Sequence, residues 1–157
     1  MIMHKIILWV LVLSIVRLFS TELDVNIQQQ SIKKDFLIIK STKSYTEAEN
    51  FAEEIATRME MKYMKEVQYS KEIGLTHSKK MCKEGYLEYP CYVARGRYDD
   101  GVYISIEYSN AYAGFTKGYY LVVVASGSYA KTVLKKVNKY EPSAYVKSAS
   151  IYMGCIH

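Results

Sequence analysis

The chain contains the same strand–turn–helix pattern twice. The first copy, "KDFLIIKSTKSYTEAENFAEEI", begins at Lys34, and the second, "GYYLVVVASGSYAKTVLKKV", begins at Gly118. In each copy an apolar run leads into a polar turn that ends in Ser-Tyr, and a segment with helical periodicity follows. The copies align at a single offset of 84 residues, so that Phe36 matches Tyr120. The sequence therefore predicts a fold built from two similar halves.

Each half supplies one predicted helix. The first begins with Ser44 as N-cap and has Glu47 three residues later, which is the capping-box spacing. Its apolar positions recur at the i, i+3, i+4, i+7 spacing of one buried face; they are Ala48, Phe51, Ala52, Ile55, Ala56 and Met59. The second helix begins at Ser128 by the same device and ends before "EPS". The acidic residues of the first helix form its solvated side.

The strands complete a β-α-β-β-α-β order. "DFLIIKST" is the first strand, "VYISIEYS" alternates apolar and polar residues, "YYLVVVAS" pairs with it as a hairpin, and "AYVKSASIYMG" is the last strand. This order predicts an α+β, ferredoxin-like fold: a four-stranded antiparallel sheet with two helices on one face. We expect Leu37, Ile39, Leu121 and Val123 to face the helices, and the other face to be open.

A long insert, residues 62–100, follows the first helix. Its pattern is mixed, with a short strand expected around residues 65–69 and another around 92–97. A connection of this length has structure of its own or works as a functional loop.

The N-terminal residues have the composition of a secretory signal peptide. "MIMHK" is basic, and the apolar run Ile6–Val16 has 11 residues, short of the roughly 20 that span a membrane. We expect a signal at residues 1–20, a polar tether at 21–34 and a single domain at 35–157. An uncleaved anchor is the alternative. Either way the sequence predicts export.

Composition excludes some classes and leaves others open. Lys5 and Arg17 belong to the signal, so the formal net charge falls from +5 to near +3, too weak to indicate nucleic-acid binding. All 16 tyrosines follow the signal. Exposed tyrosines suit sugar stacking or protein contact, but ordinary sheet packing explains most of them as well.

The three cysteines favour a disulfide. Cys82 and Cys91 bracket the loop "KEGYLEYP", which a local bridge could close, leaving Cys155 over or as a competing partner. Only His77 and His157 follow the signal, so no thiol–imidazole pair is indicated. Cys155 and His157 are two residues apart, but two ligands do not make a metal site.

The two halves resemble the SPOR (sporulation-related repeat) domain family of bacterial envelope proteins. The likeness lies in "TEAENFAEEI", in "GYYLVVVASGSYAKTVLKKV" and in the closing "SAYVK", and spans residues 35–152 apart from the insert. It implies binding of peptidoglycan glycan strands, particularly those lacking stem peptides, on the open sheet face. The chain departs from the family pattern: Ile38 and Lys40 stand where a Gln and a Gly are frequent, and Tyr120 and Val124 where an Arg and a Gly are.

Two function classes follow. The first is an exported, periplasmic or cell-envelope-associated module that binds glycan strands through aromatic stacking and hydrogen bonds. Its expected ligand-binding residues are Phe36, Lys40, Tyr103, Ser105 and Tyr120. The second is an envelope structural or protein-interaction domain that uses the same face, or the insert. No nucleophile–base pair, phosphate loop or metal spacing is present in the sequence, so no enzyme, cofactor or metal is expected.

Overall fold

The computed structural model describes residues 31–154. Residues 32–151 form one compact unit. The predicted signal peptide, most of the tether, Cys155 and His157 therefore lie outside the described residues. Within them, no helix is long and apolar enough to cross a membrane.

The described residues form an α+β structure. The strands are β1 (Ser31–Thr42), β2 (Val67–Ser70), β3 (Gly74–His77), β4 (Val102–Tyr108), β5 (Tyr120–Ser126) and β6 (Tyr145–Tyr152). The helices are α1 (Tyr45–Met59), α2 (Lys79–Glu84) and α3 (Tyr129–Val137), with a short 3-10 turn at Ser109–Ala111. Strand β1 begins four residues before the predicted Asp35, so the end of the predicted tether is part of the sheet.

Four strands form the main antiparallel sheet, in the order β4-β5-β1-β6. Strand β5 is central and pairs with β1 from Phe36–Ser126 to Thr42–Tyr120, and with β4 from Val102–Ala125 to Tyr108–Tyr120. The register of β1 shifts on both sides of Ile38. The fold class and the four-stranded antiparallel sheet were predicted correctly.

One face of the sheet, here called the helix face, packs against α1 and α3. Leu37 and Ile39 of β1 share a buried cluster with Ala48, Ala52 and Ile55 of α1 and with Ala130 and Val137 of α3. The alanines of α1 present little side-chain volume to the sheet, so the helix backbone can approach it closely. Burial of this apolar stripe is the main source of helix stability.

The prediction of which β5 side chains face the helices was wrong by one position along the strand. Tyr120, Val122 and Val124 lie in the helix-face cluster, whereas Leu121 pairs with Glu107 and Val123 with Ser105, on the opposite face. All seven residues of β5 are buried, so alternation gives no signal of which face is which. The offset of 84 residues therefore matched β1 with β5 correctly as strands, but it assigned the wrong side chains of β5 to the helix face.

The other face of the sheet, here called the far face, is covered. Phe36 of β1 meets Tyr112 and Phe115 of the connection 109–119, with ring centroids 5.0 and 6.4 Å apart. Both covering rings are themselves buried. The expectation of an open face over Phe36 is therefore wrong, because the β4–β5 connection and the insert fold back across it.

The insert has its own small structure. Strands β2 and β3 form a two-stranded hairpin, from Val67–His77 to Ser70–Gly74, close to the strand predicted at 65–69. Helix α2 follows and was not predicted. Residues 92–97 were predicted as a strand but are irregular, since their backbone and side chains bond to several elements rather than to one ladder.

The two Ser-Tyr helix starts differ in detail. The Ser44 side chain accepts a hydrogen bond from the Glu47 amide at 3.2 Å, as predicted for α1. Ser128 is the N-cap of α3 but has α-helical dihedrals and makes no side-chain cap bond. Its position follows Gly127, whose φ of +65° a residue with a Cβ rarely adopts. The Ser-Tyr dipeptide thus begins α1 with a side-chain cap bond and begins α3 without one.

Candidate functional site

A cleft of about 570 Å³ lies between the insert and β4. One wall is residues 91–99; the other sides come from residues 62–67, the end of β3, α2 and the middle of β4. We call it the insert cleft. A volume of this size is in the range of small-ligand sites, roughly 300–1,000 Å³.

The Cys82–Cys91 disulfide holds one wall of the insert cleft in place. The bridge joins α2 to the start of the 91–99 segment, with the two Cα atoms 5.8 Å apart, which confirms the predicted pairing. The backbone amide of Cys91 donates to the Thr76 hydroxyl at 3.1 Å, and the Cys91 carbonyl accepts from the His77 amide at 2.8 Å. The wall is therefore tied to both α2 and β3.

His77 adds a third tie. Its Nε2 accepts from the Val93 amide at 3.3 Å, and its Nδ1 lies 3.1 Å from the Glu66 carbonyl. Because an amide donor approaches a ring nitrogen that carries no proton, the contact with Val93 makes Nε2 the acceptor and Nδ1 the donor to the Glu66 carbonyl. His77 is thus a structural link between the hairpin and the wall.

The floor of the insert cleft contains a buried arginine. The Arg95 guanidinium donates to the Ser126 hydroxyl at 3.2 Å, the Ser105 hydroxyl at 3.0 Å and the Tyr103 carbonyl at 2.9 Å. It also donates to the carbonyls of Val123 at 3.3 Å and Gly101 at 2.8 Å. This one side chain bridges β4 and β5 on the far face, with its polar groups satisfied by protein.

Glu107 is the second buried charged residue of the floor. Its carboxylate accepts from the hydroxyls of Ser105 at 2.7 Å, Tyr112 at 2.7 Å and Tyr92, and from the Arg95 amide at 3.2 Å. Burial raises the pKa of both phenols well above the ordinary range, and the nearby Glu107 charge raises it further. Each member of the cluster is therefore hydrogen-bonded to at least one other member.

Tyrosine rings line the rim. The Tyr103 ring lies against the Arg95 guanidinium, 3.6 Å from ring centroid to the central carbon. Burial raises the pKa of Tyr103, and its hydrogen bond to the Asp99 carboxylate raises it further. Tyr98 is 73% exposed and is therefore available to stack on a ligand.

Arg97 lies in the same wall and differs from Arg95. Its Nε is buried and has no hydrogen-bond partner among the described residues. Its guanidinium lies 5.1 Å from the centroid of the Tyr98 ring. The guanidinium of Arg95 is thus hydrogen-bonded to the protein, whereas the Nε of Arg97 has no partner among the described residues.

The five predicted ligand-binding residues do not come together. Tyr103 and Ser105 line the insert cleft, although Ser105 is only 7% exposed. Phe36, 1% exposed, packs under the 109–119 connection, and Tyr120, 6% exposed, lies in the helix-face cluster. The prediction that these four share one open face is therefore wrong.

Lys40 lies apart from the others. It pairs with Val122, on the helix face, and its Nζ is 2.7 Å from the Glu47 carboxylate of α1. The hydrogen bond from Lys40 lowers the pKa of Glu47, as does a second one from Thr42. The register shift next to Ile38 carries Lys40 to this side of the sheet.

Sequence reasoning missed Arg95, Arg97 and Glu107. Glu107 could have been found, because it alternates with Tyr103 and Ser105 on the polar side of β4. Nothing in the pattern of "ARGR" distinguishes the two arginines, since each is defined by irregular backbone around it. Within residues 31–154, no group of three or more His, Cys, Asp or Glu side chains could hold a metal ion.

Comparisons with family models, with curated proteins and with solved structures found no match for the chain.

Proposed function

We propose that this protein is an exported cell-envelope module that binds peptidoglycan glycan strands in the insert cleft. The proposal includes a divergent SPOR-like domain of ferredoxin-like topology. Its support is the strand order β4-β5-β1-β6, which is order 2-3-1-4 when the four sheet strands are numbered along the chain, together with the repeated strand–helix halves and the signal-like N-terminus. No catalytic step and no cofactor are part of the proposal.

The observation that carries the proposal is that one cleft has tyrosine rings at its rim and hydrogen-bonded charged side chains at its floor. Exposed and half-buried tyrosine rings stand at the rim, where the apolar C–H faces of sugar rings could stack. Below them, Glu107 and Arg95 are held by several hydrogen bonds each, so the floor does not have to reorganise when a ligand binds. The far face of the sheet is covered, so we assign the ligand to the insert cleft instead.

The test is binding to purified glycan strands from which an amidase has removed all stem peptides. Tyr98→Ala should weaken binding at least about fivefold, since stacking of a ring on a nucleobase, the nearest measured case, is worth roughly 1–3 kcal/mol. The matched control is Tyr129→Ala, because Tyr129 is also an exposed tyrosine but lies at the start of α3 and does not line the cleft. A wild-type protein that does not bind the strands contradicts the proposal.

A second candidate, protein binding through the insert, is favoured by one observation. The disulfide closes the loop 83–90, in which Tyr86 is 98% exposed and Leu87 and Tyr89 are also exposed. Tyr86 has a φ of +55°, a strained conformation for a non-glycine residue that is frequent at functional sites. A protruding apolar loop of this kind suits a protein partner.

The two candidates separate in one experiment. Tyr86→Ser with Tyr89→Ser should leave glycan-strand binding unchanged if the ligand lies in the cleft, because neither tyrosine lines it. If the module instead binds an envelope protein, cross-linking in intact cells should capture a partner with the wild type and lose it with this double variant, while glycan strands bind neither protein.

A further inference from the structure

The outer side of helix α3 is a basic surface, and the helix contains no acidic residue. Four exposed lysines form this surface, three in the helix and one just after its end: Lys131, Lys135, Lys136 and Lys139. They follow one another at spacings of three or four positions, so their side chains are neighbours on one side of the helix. The opposite side of α3 is buried against the sheet. We call the four lysines the lysine face.

Among the described residues, three of these ammonium groups have no partner. The fourth, on Lys131, lies 2.7 Å from the Asp35 carboxylate. Within residues 31–154, no ion pair and no side-chain hydrogen bond involves Lys135, Lys136 or Lys139. Like charges four positions apart repel one another, although the dipole of the helix favours cations in its last turn. Contacts within the chain therefore do not explain so many lysines together.

Helix α1 lies on the same face of the sheet and carries the opposite charge, but its acids are already engaged. Each of its carboxylates contacts a cation or a hydroxyl of its own chain: Glu47 contacts Lys40, Glu49 contacts Tyr45, Glu53 contacts Lys65 and Glu54 contacts Arg58. A second copy of the chain that offered α1 to the lysine face would have to replace these contacts. The charge pattern therefore favours an anionic partner other than the protein itself.

Two features favour a lipid surface as that partner. Tyr129 and Tyr140, at the two ends of the lysine face, are 48% and 39% exposed, and a tyrosine ring with its apolar body and polar tip suits the boundary between water and lipid. The chain also enters the domain beside α3, because the Gly127 amide donates to the Asp35 carbonyl at 2.8 Å. An uncleaved N-terminal anchor, the alternative to a signal peptide, would hold this entry point near a membrane.

We propose that the lysine face of α3 binds the surface of a bilayer that contains anionic lipids. Headgroup phosphates supply acceptors for the three unpaired ammonium groups, and the exposed tyrosine rings lie among the headgroups. Clusters of four or more basic residues bind anionic lipids through charge attraction at the surface and need no defined pocket. The lysine face lies outside the insert cleft, so this inference goes beyond glycan binding and does not depend on it.

The experiment measures binding of the full chain to lipid vesicles by co-sedimentation. One set of vesicles is phosphatidylcholine alone, and the other is an equimolar mixture of phosphatidylcholine and phosphatidylglycerol. We expect the wild type to prefer the anionic vesicles. The α3 variant, Lys135→Gln with Lys136→Gln and Lys139→Gln, should bind the anionic vesicles at least about tenfold more weakly and the neutral vesicles equally well. The N-terminal apolar run is present in both proteins, so its contribution cancels in the comparison.

The control variant removes the same number of charges elsewhere. Lys71→Gln with Lys79→Gln and Lys83→Gln changes three exposed lysines of the insert. It should bind anionic vesicles like the wild type, which separates the lysine face from a general effect of net charge.

A charge-conserving variant and a smaller one complete the set. Replacing the same three lysines of α3 by arginine should keep wild-type binding, because the charge remains. Melting curves show which proteins are folded. If the α3 variant is not, Lys135→Gln with Lys139→Gln replaces it, with a smaller expected loss.

Each outcome decides the proposal. Equal binding of the wild type to both kinds of vesicle overturns it, and so does an α3 variant that binds like the control variant. A wild type that shows no vesicle preference but dimerises at low salt, with the dimer lost in the α3 variant, assigns the lysine face to a second copy and overturns the lipid proposal. Glycan-strand binding should be equal in all the variants, since none of these lysines lines the insert cleft, so failure of either proposal is distinguishable from failure of the other.

Discussion

The two faces of the four-stranded sheet are both buried, but they are buried by different means. The helix face is almost wholly apolar and is covered by two regular helices. The far face combines Phe36, Ile38 and Leu121 with Ser105 and Glu107, and its cover is irregular chain from the insert and from residues 109–119. On this side, one arginine and one glutamate satisfy polar groups that an apolar cover would leave unpaired.

The difference shows where a binding site can form on such a sheet. Helices close the first face with a mainly apolar layer, and the polar side chains there, such as Lys40, are paired with α1. The irregular cover of the far face reaches β4 through Arg95 and Tyr112, and the insert cleft lies between β4 and the rest of the insert. The polar floor and the tyrosine rim of the cleft are therefore formed with the same kind of irregular chain that covers the rest of the far face.

The largest expected effect is the loss of Arg95. In Arg95→Met, several buried acceptors on β4 and β5 lose their donor at about 1–3 kcal/mol each, so the free energy of unfolding should fall by at least about 3 kcal/mol. Arg97→Met, two residues away, leaves no protein acceptor unpaired and removes a buried donor that has no partner, so it should not lower the free energy of unfolding. Urea denaturation of both variants with the disulfide intact measures the difference. Equal losses would show that Arg97 is also part of the far-face network.

A truncation on each face should cost a similar amount. Leu37→Ala on the helix face and Leu121→Ala on the far face each remove a buried side chain, at about 2–5 kcal/mol. The same denaturation experiment compares them. A loss below about 1 kcal/mol for Leu121→Ala alone would mean that the far face is open in solution, as the sequence predicted.

The helix face could be predicted because its residues follow regular periods. The spacing of Ala48, Ala52 and Ile55, and the cap at Ser44, depend only on local chain geometry. The Cys82–Cys91 pairing was also accessible, because the loop between the two residues is short. Which β5 residues lie on which face could not be predicted, since a strand buried on both sides has no alternation of apolar and polar residues.

The candidate site was predicted only in part, for a physical reason. Tyr103 and Ser105 were found from the alternation of β4, but their neighbours come from irregular chain that no period describes. Arg95 and Tyr112 are separated from Glu107 by 12 and 5 positions and meet it only through the folded insert and connection. Such contacts are set by tertiary packing, which the pattern of one chain does not encode locally.

The pH dependence of stability should report on the far-face cluster. The pKa of Tyr92 and of Tyr112 is raised in the folded protein, first by burial and then by Glu107. Above pH 10 the unfolded chain loses these phenolic protons and the folded protein keeps them, so stability present below about pH 10 is lost as the pH rises. Each phenol contributes about 1.4 kcal/mol per pH unit in that range.

Variants separate this contribution from that of other groups. Burial also raises the pKa of Tyr63 to about 12, so the wild-type slope contains its share. Tyr92→Phe should therefore make the fall in unfolding free energy above pH 10 shallower without abolishing it, as measured by urea denaturation at a series of pH values. An unchanged slope would show that the Tyr92 phenol ionises with the same pKa in both states.

The smallest effect is expected from Lys40, which the sequence assigned to ligand binding and the structure places on the helix face. Its ammonium pairs with Glu47 and lies 5.6 Å from the Phe51 ring centroid, both on α1. Lys40→Ala should consequently leave the affinity for stem-peptide-free glycan strands unchanged, while Tyr98→Ala lowers it in the same assay. The pair is solvent-exposed, so added salt should weaken it, and the melting temperatures of wild type and Lys40→Ala should converge as salt increases. A loss of glycan binding in Lys40→Ala would return the ligand site to β1 and remove it from the insert cleft, because no side chain lining that cleft contacts Lys40.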